Sequence, residues 1–166
     1  MRALAILGLV LAVSFAGCEN ARTCDGACPA VGDTYEVQDT LLSGDCGFVP
    51  WLVPPTLVLA QEAGSERVTL RVIDPVNQVA VDLAVTLRVP EDGESLATFH
   101  GFQRTLRQAS SQGELLELQI QLSGSISDDD GRRRLVATMT TQPVWGGGCL
   151  TTQTVTAVGS AIPSVP

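Results

Sequence analysis

Val79-Ala80-Val81-Asp82-Leu83-Ala84-Val85-Thr86-Leu87-Arg88-Val89 alternates aliphatic and small or polar residues over eleven positions. Side chains on a strand point to opposite faces with period two, so this stretch reads as a strand with one buried face. Leu116, Leu118, Ile120, Leu122, Gly124 and Ile126 alternate in the same way with Glu117, Gln119, Gln121, Ser123 and Ser125. Odd residues of the first run and even residues of the second are expected to share one interior. Asp82, Arg88 and Glu117 have the opposite parity and are expected to face water.

Shorter runs of the same kind predict strands at Thr34–Leu42, Thr56–Gln61, Arg67–Ile73, Leu96–Phe102, Arg133–Gln142 and Leu150–Val158. Turn chemistry separates them: Asp74-Pro75-Val76-Asn77, Pro90-Glu91-Asp92-Gly93 and Asp128-Asp129-Asp130-Gly131, the last with a hairpin-forming Asp-Gly. Gln103–Gln112 is the one stretch with a helical turn as its reading, and no sustained 3.6-residue pattern occurs. The expected fold is all-β: an antiparallel meander closing into a small barrel of about eight strands, with a β-sandwich as the alternative.

The chain begins differently. Arg2 precedes the apolar run Ala3–Val13, and Ser14-Phe15-Ala16-Gly17-Cys18 follows. A positive start, an apolar segment and a small-residue cleavage site make an export signal, too short for a bilayer span of roughly 20 residues. Phe15-Ala16-Gly17-Cys18 resembles the lipobox of bacterial lipoproteins. That resemblance implies cleavage before Cys18, lipid on Cys18, and a protein held at the bacterial cell envelope, at the outer membrane by preference. The expected organisation is a signal peptide over residues 1–17, a tether over 18–33, a β-domain over 34–161 and a tail over 162–166.

Cleavage leaves about 150 residues, one domain able to bury a sizeable core. Ten Arg and no Lys stand against 18 acids, and the net charge of −8 disfavours nucleic acid as a partner. With Cys18 set aside, Cys24, Cys28, Cys46 and Cys149 remain, an even number in an exported chain. Three pairings exist. The short Gly/Pro-bearing loop favours Cys24 with Cys28, leaving Cys46 to join Cys149 near the far end of the sheet. A metal site is the alternative use of these thiols, disfavoured because the chain has a single His.

Catalytic templates fail on residue type or spacing. His100 in Phe99-His100-Gly101-Phe102 lacks a recognisable nucleophile and acid. Asp128-Asp129-Asp130 is contiguous, unlike a calcium loop, and Arg132-Arg133-Arg134 follows it. Trp145-Gly146-Gly147-Gly148-Cys149 lacks the Lys and hydroxyl of a phosphate loop. Glu114 and Glu117 have opposite parity, so they do not form an acid–base pair. Phe48-Val49-Pro50-Trp51-Leu52-Val53-Pro54-Pro55 reads as a plug over the barrel end, with a binding lip as its alternative. No cofactor is expected. Three function classes stay open: a lipid-anchored domain binding a small apolar ligand or another envelope component, a structural or protein-interaction module, and, disfavoured, an enzyme. A hollow interior would favour the ligand, and a filled interior with an exposed apolar patch would favour the protein contact.

Overall fold

A computed structural model describes residues 21–24, 26–44, 46, 51–74, 77–91, 93, 95–108, 115–145 and 148–161. The expected export signal and tail (residues 1–17 and 162–166), Cys18, Phe48-Val49-Pro50, Glu114 and Gly146-Gly147 lie outside the described residues. Nine strands form: β1 (Ala21–Arg22), β2 (Asp33–Ser43), β3 (Thr56–Gln61), β4 (Arg67–Ile73), β5 (Ala80–Pro90), β6 (Ala97–Gln108), β7 (Leu115–Asp129), β8 (Arg132–Pro143) and β9 (Thr151–Ala161). β2 to β9 pair in sequence order, every neighbour antiparallel, and β2 then pairs with β9. The result is a closed eight-stranded barrel. β1 is an added strand, set in register with Val89 and Pro90 of β5.

The parity read from the sequence decides which face turns inward. Leu83, Val85 and Leu87 of β5 and Leu118, Ile120, Leu122 and Ile126 of β7 are buried together with the aliphatic side chains of β3, β4 and β8. Val79 departs from that pattern. It lies before the first residue of β5 and is 52% exposed, because the Val79 carbonyl accepts the Asp74 amide in the preceding turn. Two glycines replace interior side chains. The Phe99 ring covers Gly124, and the Tyr35 ring covers Gly159, so a Cβ at either position would collide with an aromatic ring. Aromatic cover over glycine lets a small barrel curve without leaving a void.

The expected helical turn at Gln103–Gln112 is not formed in its described part. β6 continues as strand to Gln108, and Gln103 to Gln108 pair with Ile120 to Leu115 of β7. Pairing with a long amphipathic neighbour outweighs the weak helical preference of this polar stretch. Asp130 and Gly131, both with positive φ (53° and 77°), close the β7–β8 hairpin in two residues, as the Asp-Gly pair predicts.

We call the end where β2 begins the base and the end where it finishes the crown. The segment expected to be a free tether is held to the base from Ala21 onward. β1 pairs there, Val31 is fully buried, and the Tyr35 hydroxyl donates to the Val31 carbonyl at 2.8 Å. Gln61 fastens it further. Its Oε1 accepts from the amides of Val31 and Gly32, and its Nε2 donates to the carbonyls of Pro29 and Ser65, all within 3.1 Å. One amide side chain thus satisfies four backbone groups, and the composition of a tether does not reveal such a clasp. Cys24 and Cys28 are bonded within this segment, Cα to Cα 4.9 Å.

At the crown, Cys46 follows β2, Cys149 precedes β9, and the two are bonded with Cα atoms 5.3 Å apart. The disulfide locks the seam that closes the barrel. It also packs, with Leu116, against the fully buried Leu118. Trp51 is 3% exposed and belongs to the main core, and Leu52 forms a bridge with Ile73. The described part of the proline-rich stretch is therefore the plug. The Trp51 carbonyl accepts from Nε2 of Gln153, a buried polar side chain beneath it.

Candidate functional site

The barrel interior is filled. Tyr35, Phe99 and the buried Leu, Ile and Val side chains pack into one cluster that runs from the base to Trp51 at the crown. The outward faces are mostly polar, with Val58 of β3 and Phe102 of β6 as exposed apolar exceptions. Arg71 and Asp82, directly opposite one another on β4 and β5, pair through two bonds of 2.8 and 3.0 Å. Gln121 and Ser123 of β7 and Thr138 and Thr154 of β8 and β9 continue this polar wall, with a Thr138–Thr154 hydroxyl contact of 3.3 Å. An apolar inside and a polar outside is the inverse of a barrel that crosses a bilayer with its strands.

The two ends differ. Exposed charges, among them Arg22, Glu62, Arg67, Glu91 and Asp129, surround the base, and Arg22 pairs with Glu91 at 2.6 Å. Exposed large apolar side chains gather at the crown: Leu41, Leu52, Leu106, Leu115, Trp145 and Leu150. Trp145 is 77% exposed, with its indole N–H on Oε2 of Glu117 at 3.0 Å. Beyond His100 β6 has no β5 partner among the described residues, because β5 and β6 match only from Thr86–His100 to Arg88–Thr98. An unpaired strand edge at the crown thus lies beside exposed leucines.

Two grooves on the outer wall are formed by described residues. The larger, about 900 Å³, opens where β6 leaves β5 and is walled by Ala60, Arg67, Thr69, Ala84 and Phe102. The smaller, about 460 Å³, crosses β5 to β8 and is lined by Arg88, Thr98, Ser123, Ser125 and Thr138, with Ala21 at one side. His100 borders both.

His100 is exposed on the outer face of β6. Its cross-strand neighbours are Thr86 and Ser123, not acids, so it has no acid–base partner in register. In the triple-Asp hairpin, Asp128 accepts the Gly131 amide at 2.8 Å and Asp129 pairs with Arg134 at 3.6 Å. Its carboxylates serve the turn and the neighbouring arginine. Among the described residues no group of three or more His, Cys, Asp and Glu is placed to hold a metal ion. No described helix is long and apolar enough to cross a membrane.

Sequence parity predicts Arg88 as a solvated side chain. It does point outward, but it is half-buried, and its Nε is sealed from solvent with no hydrogen-bond partner. Nothing in the period-two residue pattern marks this.

Asp33 at the base gathers a second polar cluster. It accepts from the Thr34 amide, the Ser160 amide and hydroxyl, and Nη1 of Arg133 at 3.3 Å. Burial alone would raise its pKa, but the Ser160 and Thr34 donors and the Arg133 charge outweigh it and hold the carboxyl below its ordinary value. Tyr35, beneath this cluster, is displaced the other way. Burial pushes its phenol up to about 12, against the opposing pull of Arg133. Tyr35 is the one tyrosine of the chain, so phenolate absorbance reports this site alone. Its folded pKa lies above the unfolded value, so its contribution to stability is complete below about pH 10 and is lost as pH rises through about 12. The expected titration is a single late step that coincides with loss of barrel circular dichroism. A phenolate step near pH 10 with the fold intact would contradict the burial of Tyr35.

No family model matches the chain, and no curated protein or solved structure matches it.

Proposed function

We propose that this is a lipid-anchored, non-catalytic module of the bacterial cell envelope whose crown contacts another envelope protein. The observation that carries the reading is the combination of a filled barrel interior with an apolar crown. A filled core has no room for the small apolar ligand that a hollow barrel would take, whereas an exposed apolar rim is the surface expected of a protein contact. The anchor gives that rim a direction. Two residues, Glu19 and Asn20, separate Cys18 from Ala21, and the three chain steps reach about 10 Å when extended. Lipid on Cys18 therefore holds the charged base against the headgroups and turns the crown away from them.

The anchor is tested by expressing the full chain and Cys18→Ser in a bacterial host and separating membranes from soluble contents. The full chain is expected in the membrane fraction, labelled by radioactive palmitate, with Cys18→Ser released and unlabelled. Equal membrane retention of both would refute the anchor. The crown is tested separately with a photo-crosslinking residue at Leu106 or at Arg67. A discrete crosslinked protein is expected from Leu106 and not from Arg67 at the base. The reverse, or crosslinks from neither, would remove the contact.

A further inference from the structure

We infer that the smaller outer-wall groove is a binding site for an anionic saccharide, such as a uronic acid or a sugar phosphate. The strand registers arrange its lining as two adjacent rows on one face. Arg88 lies opposite Thr98, and Thr98 opposite Ser125. One step toward the crown, His100 lies opposite Ser123, and Ser123 opposite Thr138. Neighbours along each row have Cβ atoms about 5 Å apart, and diagonal neighbours are about 7–8 Å apart. Arg88 and His100 are such a diagonal pair, with hydroxyls from three strands beside them.

The chemistry of this array is specific. A guanidinium is always charged, and one that is half-buried without a carboxylate favours an anion at the part of it that stays open to the groove. Arg88 has its Nε sealed and unbonded, while Arg22, Arg71, Arg133 and Arg134 are all paired with carboxylates. Among the described residues no acid lines the groove, in a chain where acids outnumber bases 18 to 10. Arg88 supplies the planar donor set that carboxylates and phosphates accept bidentately. Thr98, Ser123, Ser125 and Thr138 supply hydroxyls that both donate and accept, matching the hydroxyls of a sugar ring, and His100 adds a further donor or acceptor at the open edge. At about 460 Å³ the groove falls within the range of small-ligand clefts, roughly 300–1,000 Å³. This site is independent of the lipid and of the crown contact.

The chain has one histidine, so the His100 imidazole resonances report ligand at this groove directly. The full chain carrying Cys18→Ser is titrated with galacturonate, glucose 1-phosphate, glucose and inorganic phosphate. Saturable shifts are expected with at least one of the two anionic sugars, and glucose alone should bind more weakly. Arg88→Gln should lower the affinity about tenfold or more while keeping the thermal midpoint and spectral dispersion of the parent. Ser123→Ala, at the far side of the groove, should weaken the sugar but not inorganic phosphate. Absence of a saturable shift with both anionic sugars overturns the proposal, as does equal affinity in Arg88→Gln. Inorganic phosphate binding as tightly as glucose 1-phosphate would overturn the saccharide part.

Discussion

Ile120→Asp is expected to abolish the fold. Ile120 sits mid-strand on β7, 2% exposed, and lies between the inward Leu118 and Leu122 of the same strand. Its register partners are Gln103 on β6 and Thr141 on β8, and neither offers a charge to an inward carboxylate. Loss of the aliphatic side chain alone costs about 2–5 kcal/mol. The new carboxyl must then either stay charged without a partner or take up a proton against its normal pKa, and both routes add several kcal/mol. A domain of this size is stable by only about 5–15 kcal/mol, so the sum consumes most or all of it. Leu83→Asp on β5, also 2% exposed, should behave alike. Gln121→Ala, one residue along on the exposed face, should stay within about 0.5 kcal/mol of the parent. Denaturant unfolding followed by circular dichroism separates these outcomes. A cooperative transition for Ile120→Asp close to the parent midpoint would show that β7 does not turn its even positions inward.

That contrast between positions 120 and 121 is legible in the sequence because period two is a local property. Each strand records which of its faces is buried, and the Asp-Gly at 130–131 records a two-residue hairpin. The residues that complete the architecture are legible only in three dimensions. Closure rests on Glu36 meeting Val158, a pairing across almost the whole chain that no periodicity encodes. A barrel and a sandwich can be written with the same alternation. What favoured closure in advance was the pairing of Cys46 with Cys149, a covalent hint of adjacency. The clasp made by Gln61 looks like an ordinary polar residue at a strand end, and the segment it holds reads as a tether because it is small and polar. Gln103–Gln108 is a strand only because β7 is long enough to pair with it. Arg88 has the parity of a solvated residue, and only the folded structure shows that its Nε is enclosed. Local chemistry thus reveals the wall of the barrel, while the site on that wall arises from registers between strands.

Removing the Cys46–Cys149 disulfide is expected to be the second largest loss. The bond spans 103 residues of sequence and crosses the one seam formed by long-range pairing. In the chain-entropy account, a loop of that length restricts the unfolded state by about 4–5 kcal/mol, whereas the four-residue separation of Cys24 and Cys28 corresponds to about 2 kcal/mol. The native state also loses cover, because the bonded sulfurs pack against Leu118, which is fully buried in a small cluster away from the main core. The β2–β9 hydrogen bonds remain, so the barrel should still close, with a lower midpoint rather than a different fold. For a domain of about 150 residues, each kcal/mol is worth about 2–4 °C, which places the fall for Cys46→Ser/Cys149→Ser at about 10–15 °C. Cys24→Ser/Cys28→Ser should fall by less than half as much. Calorimetry on the two double variants and the parent makes the comparison, the double substitutions avoiding a stray thiol. Equal losses from the two pairs, or a larger loss from the short loop, would mean that the crown disulfide does not carry the closure of the barrel.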